Sequence, residues 1–213
     1  MAMAVRPMSS GRKVKYVGRH LMMKGAYVDK VLSNEKKATI RKGVVKPKYG
    51  EIIIHAGGRP IAKAKITRVY YKKLRELGEY EARVEGFNSV EELMQELRRV
   101  YGNVKDDDYF TVIEFKIVQK LDELPCEDPY YGLEPSDIAR LALRYISNAL
   151  TELEKKVLMD ITRTNSIRRT AINVFKDLNK RRIVRRVLRK VLRILVENNL
   201  IQLKAKSGSN AQV

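Results

Sequence analysis

Lys24-Gly25-Ala26-Tyr27-Val28-Asp29-Lys30-Val31-Leu32-Ser33-Asn34-Glu35-Lys36-Lys37-Ala38-Thr39-Ile40-Arg41-Lys42-Gly43 changes its periodicity part-way along. Tyr27, Val28, Val31 and Leu32 supply the apolar side of a short helix, and Ala38 to Arg41 alternate as a strand. Asn34 falls at the turn between them. Its short polar side chain tolerates the left-handed backbone conformation better than most residues do. The strand brings out Lys36, Thr39 and Arg41.

Working outward, Gly50-Glu51 leads into Ile52-Ile53-Ile54, which reads as a buried strand, and Gly57-Gly58 turns the chain into Ile61 to Val69. Ser89 with Glu92 three residues on is an N-terminal capping pattern, opening a helix to about Tyr101. Tyr109 to Val118 then alternates through Phe110, Val112, Ile113, Phe115 and Ile117 as a last strand. Several short strands with two small helices predict a compact barrel rather than a βαβ array. This domain is expected over residues 14–124, after a mobile basic arm at 1–13 that lacks periodicity.

The quoted stretch resembles the signature of the ASCH family, a helix, a Gly-x-Lys and a Thr-x-Arg strand, with Asn34 standing where the family has Gly. Matches continue in order at Pro47-x-x-Gly50-Glu51-Ile52-Ile53-Ile54, at Glu85-Gly86-Phe87, and at Tyr109-Phe110-Thr111-Val112-Ile113-Glu114-Phe115. The resemblance implies a PUA-like β-barrel with a cleft that holds nucleotides beside Lys36, Thr39 and Arg41, with Lys24 on the same rim. A cation pair such as Lys36 and Arg41 suits phosphate, the guanidinium adding a planar fork for a base edge. Solvated charges on a strand edge are the plainer account of both.

Some small ASCH-like proteins are amidohydrolases acting on N4-acetylcytidine, and Lys36, Thr39 and Glu85 match their catalytic set by motif position. In that role Thr39 is nucleophile or water orienter, Lys36 the base, and Glu85 a proton carrier. The lysine would need its pKa lowered by burial or by neighbouring cations. Competing accounts are ordinary strand packing for Thr39 and solvation for Glu79, Glu81 and Glu85.

Pro125, Asp128, Pro129, Gly132 and Pro135 mark a linker over 125–135. Beyond it the pattern becomes helical over 136–206, with a polar tail at 207–213. Ser136 is expected to cap one helix to about Ala149, Thr151 with Glu154 a second to about Thr162, Asn165 or Ser166 a third, and Asn179 a long fourth. Leu200 to Lys204 is expected to form a short strand. In the long helix Lys180, Arg181, Arg182, Arg185, Arg186, Arg189, Lys190 and Arg193 alternate with apolar pairs near four-residue spacing, so cations and apolar groups take opposite sides. Arg168 and Arg169 enlarge the patch, and no acid occurs from Asn179 to Ile194. The helix series loosely resembles a winged helix-turn-helix, with the long helix in the recognition position. Its cations, above all Arg182, Arg185, Arg186 and Arg189, suit backbone phosphates.

The fold class expected is therefore α+β: a small PUA-like barrel followed by a basic all-helical, winged-helix-like domain. The 213 residues carry a net charge of +19, with +8 on residues 1–128 and +11 on the shorter remainder. Such an excess draws polyanions. RNA is the expected partner, as tRNA, rRNA or a ribonucleoprotein particle. Double-stranded DNA, bound as by a transcription regulator, comes second. No stretch approaches the ~20 apolar residues of a membrane span, and no secretory signal is apparent, so the expected location is cytoplasmic. Cys126 alone allows no internal disulfide, and His20, His55 and Cys126 lack the spacing of a metal site. No cofactor is expected. The high charge, the single Cys and the absence of Trp point to a heat-adapted cell.

Overall fold

A computed structural model describes residues 14–124 and 128–203. The expected arm and tail, Cys126 and Lys204 lie outside those residues. The chain divides into two compact units: residues 1–57 with 63–119, and residues 58–62 with 120–213.

In the first unit a five-stranded sheet curls into a PUA-like half-barrel rather than a closed one. Its members are β2 (His20–Met22), β3 (Ala38–Lys42), β5 (Glu51–Ala56), β6 (Arg59–Lys73) and β7 (Tyr109–Lys120), in the order β2-β5-β6-β7-β3. β1 (Lys15–Val17) and β4 (Val45–Pro47) form a separate parallel pair. Gly57 and Gly58 both take positive φ, 59° and 79°. That is the requirement of the two-residue turn joining β5 to β6.

The helices of this unit are α1 (Val28–Leu32), α2 (Glu79–Glu85) and α3 (Val90–Tyr101). A single 3-10 turn, Gly25–Tyr27, precedes α1. Asn34 takes φ 65°, so the left-handed turn expected of it is present. Ser89 caps α3 by accepting the Glu92 N–H at 3.2 Å, while Glu92 reaches back to the N–H of Asn88. Ala38 and Ile40 of β3, Ala82 of α2, Leu93 and Leu97 of α3, and Phe110 and Val112 of β7 share one buried cluster. The alternate residues of β3 are thus anchored in the core, which fixes the strand's register against β7, Thr39 opposite Ile113 and Arg41 opposite Thr111.

The second unit contains α4 (Pro135–Tyr145), α5 (Glu152–Thr164), α6 (Ile167–Phe175) and α7 (Arg181–Glu197). The capping box expected at Thr151 and Glu154 forms with both its bonds. Ser166 caps α6, and Asn165 ends α5 in the left-handed conformation. Ser136 is not a cap. Glu134 holds that place and Pro135 opens the helix, its fixed φ suiting the first helical position. Ser136 is buried instead and accepts from Arg140. Val184, Val187, Leu188, Val191, Leu192 and Leu195 are buried along one side of α7. The strand expected at Leu200 to Lys204 reduces to one bridge, Leu124 with Leu203. No hairpin follows α7 among the described residues, so a wing is not seen.

Candidate functional site

Two groups of side chains stand out, one in each unit. In the first, the left-handed turn at Asn34 returns the chain so that the Lys36 N–H donates to the Lys30 carbonyl at 2.8 Å. Lys36 then points inward and is 1% exposed. Its Nζ lies 2.6 Å from Glu85 Oε1, donates to the Glu85 carbonyl at 3.0 Å, and sits 4.5 Å above the Tyr27 ring. Lys30 donates to the Gly86 carbonyl at 2.7 Å. Two lysines therefore serve the C-terminus of α2, where free carbonyls and the helix dipole favour cations. Gly86 has φ +91°, and a Cβ there would stand 3.3 Å from Lys36 Cβ. A side chain at this point would be strained and would press on the lysine.

Burial dominates the titration of the pair. It holds the Lys36 ammonium below the ordinary lysine range, against the pull of Glu85. It pushes the Glu85 carboxyl above the usual carboxylate range, against Lys36 and Arg41. Glu85 Oε2 and Arg41 Nε are buried with no hydrogen-bond partner among the described residues. Both belong to the lining of a cleft of about 210 Å³, together with Lys24, Tyr27, Lys36, Thr39, Glu96 and Tyr101.

The cleft thus gathers Lys24, Lys36, Thr39, Arg41 and Glu85. Their roles differ in kind. Lys36 is part of the floor and paired with Glu85, not a free rim cation. Lys24 is on the exposed edge, but Glu96 takes its charge at 2.8 Å. Arg41 is tied through Nη2 to the Met22 carbonyl at 2.6 Å. Thr39 is 4% exposed. Glu96 also receives the Tyr27 hydroxyl at 2.9 Å and Arg99 Nε at 2.7 Å. Burial favours its neutral form, yet the donors outweigh it and hold the carboxyl below its ordinary range.

The second group lies on α7. Arg182, Arg185, Arg186, Arg189, Lys190 and Arg193 line an open groove of about 610 Å³. The first four are exposed and have no acidic partner among the described residues. Lys190 is paired with Glu154 at 2.8 Å, and Arg193 approaches Glu197 at 3.6 Å. Arg168 and Arg169 are exposed at the start of α6 but do not line the groove.

The model of the ASCH domain family matches residues 13–119, half of the chain. The chain belongs to the ASCH domain family. Among solved structures it is similar to an ASCH domain from Lactobacillus crispatus, with 19% identity, TM-score 0.43, and coverage of 49% of this chain and 80% of that one. It is also similar to an ASCH protein from Zymomonas mobilis, with 14% identity, TM-score 0.40 and coverage of 49% and 71%. A protein from Enterococcus faecalis shows 21% identity, TM-score 0.38 and coverage of 45% and 69%. No curated protein matches this sequence. The family assignment rests on the sequence model.

Two members of the ASCH cleft were not legible in the sequence. Tyr27 reads there as one apolar residue of a helix, and nothing in the sequence singles out Glu96. Glu96 meets Lys24 across 72 residues of chain, a contact that no local spacing announces. Among the described residues no group of three His, Cys, Asp or Glu could hold a metal, and no helix is long and apolar enough to cross a membrane.

Proposed function

We propose that this ASCH-domain protein binds RNA, gripping the phosphate backbone with the arginine face of α7. The observation that carries this is the set Arg182, Arg185, Arg186 and Arg189, exposed and without acidic partners among the described residues. A helix N-terminus favours acidic residues, because its free N–H groups and dipole are positive. The first turn of α7 holds no acid and opens with Arg181 and Arg182. That arrangement costs stability unless an anion arrives. From Arg182 to Arg193 the helix rises roughly 16 Å at about 1.5 Å per residue. One nucleic-acid strand sets about five phosphates over such a length.

The test is the salt dependence of RNA binding by the full chain. A quadruple Arg→Glu change at 182, 185, 186 and 189 is expected to lower the slope of log affinity against log salt by roughly 3, since each phosphate contact contributes about 0.7 to 0.9. An unchanged slope removes α7 from the interface. Preference for a dyad-symmetric DNA duplex over RNA would favour the DNA regulator instead.

A second reading concerns the barrel cleft, and the buried Lys36–Glu85 pair beside Thr39 favours it. Burial supports a lysine free to act as a base and a carboxyl free to carry a proton, the chemistry that amide cleavage in an acetylated cytidine needs. Release of acetate from N4-acetylcytidine, lost in Lys36→Ala, tests this reading. No acetate from the unaltered protein refutes it.

A further inference from the structure

Tyr16 of β1 and Tyr49, just after β4, are 60% and 42% exposed. Both are held among cations. Tyr16 is paired in register with Lys46, and Lys48 Nζ lies 5.4 Å from its ring centre. The Arg19 guanidinium stacks 3.9 Å from the centre of the Tyr49 ring. The strands beneath are anchored: Val45 is buried, and its N–H donates to Thr111 Oγ1 at 2.9 Å. Lys15, Arg19, Lys46 and Lys48 have no acidic partner among the described residues. Residues 14–28 and 36–50 contain no Asp or Glu at all. None of these side chains lines the barrel cleft.

We infer that this face of β1 and β4 is a binding site for single-stranded nucleic acid, with Tyr16 and Tyr49 as stacking platforms and Arg19, Lys46 and Lys48 on the phosphates. Cations without acids select a polyanion, since an ordinary solvated face mixes both signs. Exposed rings flanked by cations narrow the choice further. Bases within a duplex are already stacked on one another, whereas those of a single strand are free to stack on a protein ring. Lys48 and Arg19 hold the rings in place, and a guanidinium on one side of a tyrosine leaves the other for a base. The inference rests on the reading of the chain as an RNA-binding protein, and adds the form of RNA it takes.

The experiment measures binding of the full chain to a fluorescently labelled oligouridylate and to an RNA hairpin of equal length. Tyr16→Ala with Tyr49→Ala is expected to weaken the single strand about tenfold or more, because stacking is worth about 1–3 kcal/mol per base. The hairpin affinity should not change, and Tyr→Phe at both positions should preserve the single-strand affinity. Single-strand binding that ignores the alanines, or equal loss for the hairpin, overturns the inference while leaving α7 as an RNA contact. Tyrosine-dependent capture by phosphatidylserine vesicles, with RNA binding untouched, also overturns it. Failure of the unaltered chain to bind either RNA removes both readings.

Discussion

Lys36 and Glu85 meet in the floor of the ASCH cleft with Nζ 2.6 Å from Oε1, their side chains 1% and 10% exposed. Forty-nine residues separate them. Desolvating two opposite charges costs about as much as their attraction returns, so such a pair is poor evidence of a gain in stability. Among the described residues Glu85 Oε2 and Arg41 Nε are left buried without hydrogen-bond partners, as an acceptor and a donor. A fold that needed only packing would place apolar residues here.

Removing the lysine exposes the cost. Lys36→Met should destabilise the protein by about 3–5 kcal/mol at neutral pH, because it strands a buried carboxylate. The sign with pH follows from Glu85. Its folded-state pKa is already raised above 4.5 and rises further without Lys36. A raised carboxyl pKa gives stability that is complete below the unfolded value and lost as pH climbs through the folded one. The variant should therefore approach the parent near pH 4 and fall away above it. Urea unfolding from pH 4 to 8 measures this, and a deficit independent of pH would contradict it. Lys36→Met with Glu85→Gln should recover most of the loss.

The sequence revealed what is local. The Ser89 cap, the Thr151–Glu154 box and the turn at Asn34 are decided by residues within a few positions of one another, and each forms. It concealed what depends on distant partners. Solvation was an open account of Glu81 and Glu85, yet both are buried on α2, Glu81 held by Lys72 at 2.7 Å and by the Tyr70 hydroxyl at 3.1 Å. β1, β2 and β4 are three residues each and exist through pairing with remote segments, so no period within them could be read. Of the candidate site, Lys24, Lys36, Thr39, Arg41 and Glu85 were readable from the family pattern, whereas Tyr27 and Glu96 were not. The pairing of Lys36 with Glu85 was not.

Two left-handed positions should differ in how far they tolerate substitution. Asn34→Gly, at φ 65°, should change stability by less than about 0.5 kcal/mol, whereas Asn34→Val should cost about 1–2 kcal/mol. Gly86→Ala faces both φ +91° and the contact with Lys36 Cβ, so its loss should exceed that backbone cost. Thermal unfolding of the three variants checks the order.

Glu154 links α5 to α7 by accepting the Thr151 N–H at 2.9 Å and pairing with Lys190 at 2.8 Å. Burial opposes its ionised form, but Lys190 and the Thr151 bonds prevail and hold the carboxyl below 4.5. A depressed carboxyl pKa contributes stability above the unfolded value, lost as pH falls through the folded one. Glu154→Gln should cost roughly 0.5–1 kcal/mol at pH 7, comparable to a weakened cap, and progressively less as pH falls through the folded value. It also frees Lys190, a lining residue of the groove, so RNA affinity at low salt should rise. Unchanged RNA affinity would show that Lys190 does not face the phosphates.

Replacing Arg182, Arg185, Arg186 and Arg189 together by Lys separates charge from geometry. Four ammonium groups release the same counterions as four guanidinium groups, so the salt slope should stay within experimental error of the parent. Affinity should nonetheless fall, because a guanidinium grips phosphate with two parallel hydrogen bonds and an ammonium acts as a compact, strongly hydrated charge. Each lost fork is worth a fraction of a charge-assisted bond, and four of them should weaken RNA binding by about tenfold at a fixed 150 mM salt. Fluorescence polarisation across a salt series reads slope and affinity from one titration set. Affinity equal to that of the parent would mean that α7 supplies a diffuse positive field, and that its arginines make no specific contact with the backbone.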